Sequence, residues 1–395
     1  MSESAAASPP SPFPSLAAVS AGLLAAFVGF ASSFAVAVQG LMAVGATQAE
    51  AASGLMALLI GKAVFALMLS WRLRMPVSVA WSTPGAALLV ATGAVAGGFP
   101  AAVGGFLVSG VLIVLAGTWK PLGRAVSAIP TPLASAMLGG VLFGLCTAPV
   151  RAVAENAALG LPIVLAWAVV ARVNRLLAVP AAVLVAAVLI AATTRVTLAD
   201  LGPLAPHPIL VTPTLTLQAV TAIAIPLFIV TMASQNIPGI AILAVNGYRP
   251  DPGLLFRATG LASILVAPFG GHALNLAAIT AALCAGPDAD SDPRRRWWAA
   301  AVAACAYLGF GLTAVAATAF LGASPPILIQ AVAGLALLGS LGAALTGAVA
   351  DPKRLEAAIV TFVVTASGVS FLGIGGALWG LVAGGAMLAL ARWRG

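Results

Sequence analysis

Long apolar stretches recur along the whole chain, and they restrict its fold more than any other feature. An α-helix needs roughly 20 apolar residues to cross a hydrocarbon layer about 30 Å thick. Only 7% of the 395 residues are charged, against about 25% in soluble domains. The alternating polar and apolar residues of a membrane β-barrel are absent, so the spans should be helices, which satisfy their own backbone groups. The sequence predicts an all-α polytopic membrane protein.

The amino terminus is polar and lacks basic residues. Residues 1–15 are rich in Ser, Ala and Pro, and we expect them to form a disordered cytoplasmic tail. Because this tail lacks the Lys and Arg that open a secretory signal, Leu16–Phe30 is predicted to be a retained first span.

Neither a metal site nor a catalytic centre is indicated. The three cysteines, Cys146, Cys284 and Cys305, lie far apart in apolar stretches, which favours buried packing residues over disulfides or metal ligands. No histidine–carboxylate cluster and no nucleophile–base pair occurs within the apolar stretches. The sequence therefore predicts no cofactor, no metal and no enzymatic activity.

Charged residues and Pro- and Gly-rich points divide the chain into fourteen predicted spans. The third and the tenth are predicted to be broken. In chain order the spans cover 16–46, 50–71, 76–96, 99–119, 124–148, 160–172, 177–194, 214–245, 253–267, 268–285, 296–320, 325–348, 355–369 and 372–391.

The basic residues collect on one side of this arrangement. Loops on the side opposite the amino terminus hold only Arg151 and Arg195. This asymmetry is the positive-inside rule, so both termini of a bacterial inner-membrane protein are predicted to be cytoplasmic. Topology, rather than nucleic-acid binding, explains the net charge of +8. The basic residues on the amino-terminal side are Arg72, Arg74, Lys120, Arg124, Arg172, Arg175, Arg249, Arg294, Arg295, Arg296, Lys353, Arg354, Arg392 and Arg394.

The second half of the chain resembles the first at a shift of about 195 residues. Each half has seven predicted spans, an odd number, so the second copy would enter the membrane upside down. The sequence therefore predicts an inverted repeat about a pseudo-two-fold axis in the membrane plane. The matches are Gln39 with Gln235, Lys62 with Arg257, Pro76 with Pro268, and 129–133 with 324–328.

The two broken spans are predicted to build an anion site. Residues 75–85 hold Pro76 and Pro84 around a β-prone stretch, which predicts extended backbone followed by a half-helix from near Pro84. Residues 268–275 predict extended backbone and a half-helix from about Ala273. Such helices would direct their partly positive amino ends toward each other near the midplane. The alternative is that both are merely kinked structural helices.

Polar side chains within spans are costly and therefore informative. We interpret Gln235 and His272 as substrate contacts, and His272 is an in-site group able to carry a coupling proton. The ten acidic residues fall in tails, loops or span ends, so an anionic substrate would meet no like charge at the site.

Four other polar residues have simpler interpretations. Ser32 and Ser33 are expected to form interhelical hydrogen bonds. Lys62 and Arg257 are expected to snorkel to an interface or to bind helix ends.

Three long motifs carry a family resemblance. They read WSTPGAAL at 81–88, VTMASQNIPG at 230–239 and APFGGHALNLAAITAA at 267–282. These strings resemble the bacterial benzoate/proton symporters, the BenE family, and the likeness extends over essentially the whole chain. That family is similar to the uracil, purine and sulfate transporters, whose fold has fourteen segments in a seven-plus-seven inverted repeat.

The resemblance also implies a division into domains. The core would comprise 16–119 and 214–320, spans 1–4 and 8–11, and the gate 124–194 and 325–391, spans 5–7 and 12–14. The uracil relatives carry a glutamate in the eighth and tenth spans, where this chain has Gln235 and His272 or Asn275 nearby. That difference favours an anion over a neutral base and puts a carboxylate proton relay in doubt.

The predicted function is secondary active uptake of benzoate or a similar aromatic carboxylate with protons, the proton being carried by His272 or by the substrate itself. An anion channel, or a transporter of nucleobases or other organic anions on the same fold, is the alternative. Lipid, protons and the substrate are the expected partners, and a homodimer is left open. The residues expected at the substrate site are Phe30, Phe34, Thr83, Pro84, Gly85, Ser234, Gln235, Asn236, Phe269, Gly271, His272, Ala273 and Asn275.

Overall fold

The computed structural model describes residues 13–127, 129–193, 207–277, 279–322, 324–369, 371 and 375–393. The predicted tail up to residue 12 lies outside this part of the chain. So do two basic residues placed by the topology prediction, Arg195 and Arg394.

The described chain is almost entirely helical, with one pair of short strands. The elements of the first half are α1 Leu16–Ala31, α2 Phe34–Ala43, α3 Gln48–Leu73, β1 Val79–Trp81, α4 Thr83–Thr92, α5 Gly98–Thr118, α6 Lys120–Ser127, α7 Thr131–Cys146, α8 Ala148–Glu155, α9 Ala157–Val173 and α10 Ala178–Thr193.

The second half begins with a helix that is interrupted twice by π-helical turns. Its elements are α11 Leu217–Ala219, a π-turn Val220–Ala224, α12 Ile225–Thr231, a π-turn Met232–Asn236, α13 Ile237–Val245, α14 Pro252–Val266, β2 Leu274–Leu276, α15 Ile279–Ala285, α16 Trp297–Leu312, α17 Ala314–Gly322, α18 Pro326–Ala348, α19 Leu355–Ala366 and α20 Gly376–Trp393. Short 3₁₀ turns cover Ala267–Phe269, Pro293–Arg295 and Pro352–Arg354.

Within the described residues, seven helical stretches are long and apolar enough to cross a membrane. The pair α16–α17, bent by 55°, would make an eighth. Four shorter apolar helices accompany them, α4, α9, α10 and most of α20. The predicted class, a helical multi-pass membrane protein, is confirmed, whereas the count of fourteen spans stays a prediction.

Two predicted spans differ in their bounds. The span predicted at 124–148 begins instead at Thr131, because Pro130 is extended and Pro132 occupies the first turn of α7. The preceding residues form the separate helix α6. The span predicted at 16–46 is divided at Ser33, whose hydroxyl donates to the Gly29 carbonyl at 2.9 Å.

The strands β1 and β2 pair antiparallel and are largely buried. Two further backbone bonds lengthen the ladder, from the Ser82 N–H to the Ala273 carbonyl and from the Ala277 N–H to the Ser78 carbonyl, both 2.9 Å. Extended backbone is thus present in the first predicted stretch and at the end of the second, whose first residues instead form the 3₁₀ turn Ala267–Phe269. Each strand satisfies the backbone groups of the other. Since α4 and α15 continue from opposite ends of this ladder, the amino end of each helix faces back toward it.

Helix packing falls mainly into two groups. In one group α5 packs along α14 and α3 packs along α16, while in the other α7 packs along α18 and α19. Small residues allow the close approach of α5 and α14: a Cβ added at Gly260 would lie 2.7 Å from the Val114 nitrogen and 2.9 Å from the Gly110 carbonyl oxygen. The strand pair lies in the first group.

The start of α1 is tied to the loop that follows α15. Ser15 caps α1 and donates to Asp290 at 2.7 Å. Arg295 lies 3.8 Å from the same carboxylate. In this loop a hydrogen bond from the Arg294 side chain holds the pKa of the Asp292 carboxyl below its ordinary value. These contacts lie on the side predicted to be cytoplasmic.

Candidate functional site

The amino end of α4 is a capped helix start beside the strand pair. The Ser82 hydroxyl accepts from the Gly85 N–H at 3.1 Å, and the Ser82 carbonyl accepts from the Ala86 N–H at 2.7 Å. Thr83 is the first residue of α4, so its N–H has no acceptor inside the helix. Pro84, the next residue, has no N–H that needs one. The half-helix predicted from near Pro84 therefore begins, as expected, at Thr83.

The prediction for the second half-helix is wrong. Ala273 is not a helix start, because it precedes β2 and its carbonyl accepts from β1 through Ser82. The helix α15 begins only at Ile279. The nearby Gly271 N–H is also occupied, since it donates to the Val266 carbonyl at 3.0 Å. Ala273 therefore does not lie at a helix end, the Gly271 N–H is not free, and α4 provides the long half-helix of the pair.

Two side chains of the interrupted helix fix it to the strands. The Thr231 hydroxyl donates to the Ser82 hydroxyl at 2.8 Å. The side-chain amide oxygen of Asn236 accepts from the Leu276 N–H at 2.9 Å. Asn236 was predicted as a substrate contact, but its oxygen is used on β2. Sequence reasoning missed Ser82, which the capping preference for serine before a helix could have revealed, and Thr231, for which no local signal exists.

Asn275 also serves the strand pair. It is fully buried. With its amide nitrogen donating to the Leu276 carbonyl at 2.8 Å, its amide oxygen accepts from the Ser82 N–H at 2.9 Å. The geometry assigns Asn275 to the support of the α4 start.

Two glutamines that match in the repeat have unused amides. Gln235 is partly buried, and no side-chain partner is found for it among the described residues. The Gln39 amide nitrogen on α2 is buried without an acceptor in the same part of the chain. The neighbouring Ser234 donates to the Val230 carbonyl at 2.6 Å, within its own helix. Gln235 and Gln39 therefore remain available to a ligand.

His272 is fully buried at the entry to β2. Neither imidazole nitrogen makes a hydrogen bond of normal geometry to the described residues. Its ring packs edge-on against Phe106 of α5, with the ring centroids 6.4 Å apart. An unpartnered buried polar group is costly, so a ligand that hydrogen-bonded to this imidazole would be favoured.

The aromatic residues expected around a substrate ring separate into two places. Phe30 stacks on Phe34 and on Phe310, each with centroids 4.9 Å apart. Phe269 lies elsewhere, in the 3₁₀ turn before β2, where its carbonyl accepts from the Ser53 hydroxyl at 3.0 Å. No aromatic ring contact among the described residues joins Phe269 to Phe30, Phe34 or Phe310.

The two repeat-matched cations have different surroundings. Arg257 donates to the Gly117 carbonyl at the end of α5 at 3.2 Å, which confirms the helix-end interpretation for this residue. The snorkelling interpretation of Lys62 is wrong. Its ammonium lies inside the protein, 3.7 Å from the Trp81 ring centroid and 3.4 Å from that of Tyr307. The aromatic faces come from β1 and α16, which are distant in sequence.

A cavity of about 490 Å³ lies apart from the strand pair, at the junction of α5, α6 and α14. Its charged lining residues are Lys120, Arg124, Asp251 and Arg257. The cavity is on the side predicted to be cytoplasmic, where basic residues are explained by topology. Groups of three or more His, Cys, Asp or Glu residues able to hold a metal are not found in the described chain.

The fold matches solved membrane transporters. The transmembrane domain of the cyanobacterial bicarbonate transporter BicA aligns with a TM-score of 0.58 at 14% identity, covering 93% of this chain and 96% of that one. The murine Solute Carrier 26 family member A9 anion transporter, in its inward-facing state, aligns with a TM-score of 0.61 at 14% identity, covering 98% and 69%. At this identity the likeness shows the fold. The fold is thus that of a membrane transporter, and the match of residues 13–390 to a membrane transport family shows that the protein is a transporter and not an enzyme.

Residues 13–390 match the BenE family, described as benzoate membrane transport protein, and the chain belongs to this family. Inner membrane protein YdcO of Escherichia coli K12 is 40% identical over 365 residues, covering 92% of this chain and 93% of the relative. The benzoate membrane transport protein of Acinetobacter baylyi is 28% identical over 380 residues, 94% of both chains. The resemblance drawn from the three motifs is confirmed.

Proposed function

We propose that the protein imports benzoate or a similar aromatic carboxylate across the bacterial inner membrane, together with protons, by alternating access. Membership of the benzoate membrane transport family is the observation that carries this proposal. The names of two relatives support its parts, since one is named for benzoate transport and the other for the inner membrane.

The carboxylate would bind at the amino end of α4. There the Thr83 N–H has no acceptor within the helix, and the helix dipole adds a partial positive charge. The acidic residues of the described chain lie at helix ends and in loops; Glu50, for example, belongs to the capping box at the start of α3. An arriving carboxylate would therefore meet attraction without a competing acid.

The remaining contacts would come from the residues whose polar groups are unused. The free amide of Gln235 and the buried imidazole of His272 are the strongest of these. The aromatic ring of the substrate would face Phe30 and Phe34, at the break between α1 and α2. Pro84, Gly85, Ser234 and Ala273 would shape the site through their backbones, because their side chains offer no free donor.

Alternating access would move a core of spans 1–4 and 8–11 against a gate of spans 5–7 and 12–14. In the predicted repeat α3 corresponds to α14, and α5 corresponds to α16. Exchange of the two halves therefore turns the contact between α3 and α16 into the contact between α14 and α5, and the presence of both contacts supports an inverted repeat. The same exchange replaces α7 by α18 and β1 by β2, and the two elements of each pair are in contact. Both termini would then be cytoplasmic.

Exchange of labelled benzoate in proteoliposomes tests the proposal. Neutral benzoic acid crosses lipid by itself, so protein-free liposomes must be measured in parallel, and direct binding to purified protein must accompany the transport data. We expect saturable binding and protein-dependent exchange of labelled for unlabelled benzoate. Conductance far above carrier turnover, with no exchange or uphill accumulation, would instead identify an anion channel.

A further inference from the structure

Lys62 carries an ammonium group in a position where membrane proteins rarely keep one. The residue is only 1% exposed, although it lies in the middle of the apolar helix α3. Its nitrogen lies between two aromatic faces, within 4 Å of both ring centroids. It makes no hydrogen bond and no ion pair with any residue in the part of the chain that the structure describes.

The elements around Lys62 hold no compensating acid. The helices α2, α14, α16 and α17 and both strands, which pack against α3, contain no Asp or Glu. On α3 itself, Glu50 lies about 18 Å away at 1.5 Å per residue and is bound in the capping box of Thr47. Asp251, before α14, lies 3.7 Å from Arg257. A positive charge on Lys62 would therefore be solvated by aromatic rings alone.

Aromatic faces favour the charged form of a buried amine but do not neutralise it. The attraction comes from the ring quadrupole and is much weaker than that of a carboxylate at the same distance. A lone buried charge without an opposite charge is therefore unfavourable in the resting protein. An anion that enters nearby would remove this imbalance.

The Lys62 cage, defined as Lys62 with Trp81 and Tyr307, connects the two parts of the candidate site. Trp81 ends β1 directly before the Ser82 cap, and its indole N–H donates to Ser33 at 3.1 Å. Tyr307 packs edge-on against Phe310, with centroids 6.3 Å apart, and Phe310 stacks on Phe30. The cage is thus joined to the start of α4 along the chain, since Trp81 precedes the Ser82 cap, and to the aromatic cluster through the Tyr307 ring.

We propose that Lys62 is the counter-charge that makes the site select anions, acting across Trp81 on a carboxylate held at the amino end of α4. The proposal rests on the proposed function of the site. Lys62 is a positioning residue here, because its ammonium is covered by the two rings and acts through space. In the low-dielectric interior a full charge behind the site strengthens the partial charge of the helix end.

The test compares the affinities of purified protein for benzoate and for uncharged benzamide. Lys62→Met removes the charge at similar length, and we expect the benzoate preference to fall at least about tenfold, as for a lost charge-assisted contact. Lys62→Arg, which retains the positive charge, should keep most of the benzoate preference that Lys62→Met loses. Arg257→Met is the matched control, because it removes the repeat-related cation from a helix end outside the site, and it should leave the preference unchanged.

The outcomes separate the two proposals. A wild-type protein that does not bind benzoate would overturn the proposed function and this inference with it. Normal wild-type binding with an unchanged preference in Lys62→Met would overturn the inference alone. If Lys62→Met cannot be isolated as a folded protein, Lys62→Gln, which also removes the charge, decides: a reduced benzoate preference supports the counter-charge, and an unchanged one rejects it.

Discussion

The Thr231 hydroxyl donates a 2.8 Å hydrogen bond to the Ser82 hydroxyl, although the two residues are 149 positions apart. Thr231 ends α12 and Ser82 caps α4. Because Ser82 also receives the Gly85 N–H, one buried hydroxyl joins the interrupted helix of the second half to the half-helix of the first. The position of the proposed carboxylate site therefore depends on a contact between the two halves.

Thr231→Val keeps the shape of the side chain and removes the donor. We expect a loss of about 1 kcal/mol in unfolding free energy and weaker benzoate binding, because the α4 start is held less firmly. Thermal unfolding and ligand binding of the purified protein measure both. Thr318→Val is the matched control, since this buried hydroxyl bonds only within its own helix at 2.8 Å. Equal effects on binding from both variants would contradict a special role for Thr231.

Ser82→Ala removes the cap and leaves the Thr231 hydroxyl without its acceptor. We expect a loss of about 2–4 kcal/mol in unfolding free energy, the sum of about 1 kcal/mol for a helix cap and about 1–3 kcal/mol for a buried unpaired group. The control is Thr47→Ala, which removes the exposed cap of α3 away from the strand pair. Benzoate binding should fall in Ser82→Ala and persist in Thr47→Ala. Unchanged benzoate binding in both variants would mean that α4 does not hold the carboxylate.

Substrate selectivity tests the charge of the site directly. Benzamide has nearly the shape of benzoate without its charge, and we expect it to compete at least about tenfold less well. Competition against labelled benzoate on purified protein provides the measurement. Equal competition by benzamide would remove the case for an anion site. Better competition by uracil than by benzoate would favour the nucleobase alternative.

Local sequence predicted one half of the strand region better than the other. The start of α4 follows from Pro84 and its serine cap, which act within a few residues. The start of α15 could not be predicted in this way, because Ala273 is held in extended backbone by a hydrogen bond that its carbonyl accepts from the Ser82 N–H, far away in the chain. Composition and charge likewise predicted the class of the protein, since both reflect the solvent around the whole chain.

The surroundings of Lys62 could not be predicted for the same reason. The charged group of a lysine in an apolar helix can be accommodated in several ways, including snorkelling to the interface and pairing with an opposite charge. The solution found here needs Trp81 from β1 and Tyr307 from α16, which only the folded chain brings together. Its repeat mate Arg257 lies at the end of a helix, where a local interpretation was sufficient.

Cysteine labelling tests the predicted topology. In a protein with its three native cysteines replaced, Ala96→Cys should react with an impermeant reagent from outside and Arg294→Cys only from the cytoplasm. Ala96 is exposed and avoids the neighbouring Gly97, whose φ of 90° disfavours a side chain. Arg294 is also exposed, at 74%. Labelling of both positions from one side would contradict the fourteen-span arrangement and the inverted repeat.

Coupling to protons is tested at His272. A charge on this buried, unpartnered ring is unfavourable alone, and a bound carboxylate nearby would favour it, so binding of the anion and of the proton should assist each other. His272→Gln keeps a hydrogen-bonding group and removes the titration.

We expect His272→Gln to retain benzoate binding but to flatten its dependence on pH between about 5.5 and 7.5, around the ordinary histidine range. The variant should also weaken accumulation driven by a proton gradient while sparing exchange of labelled for unlabelled benzoate, because exchange needs no net proton movement. His207→Gln, a change of the exposed histidine outside the site, is the matched control and should behave like the wild type. Unchanged gradient-driven accumulation in His272→Gln would exclude His272 as the carrier. The proton would then travel on the carboxyl group of the substrate, and the unpartnered imidazole would need a structural explanation.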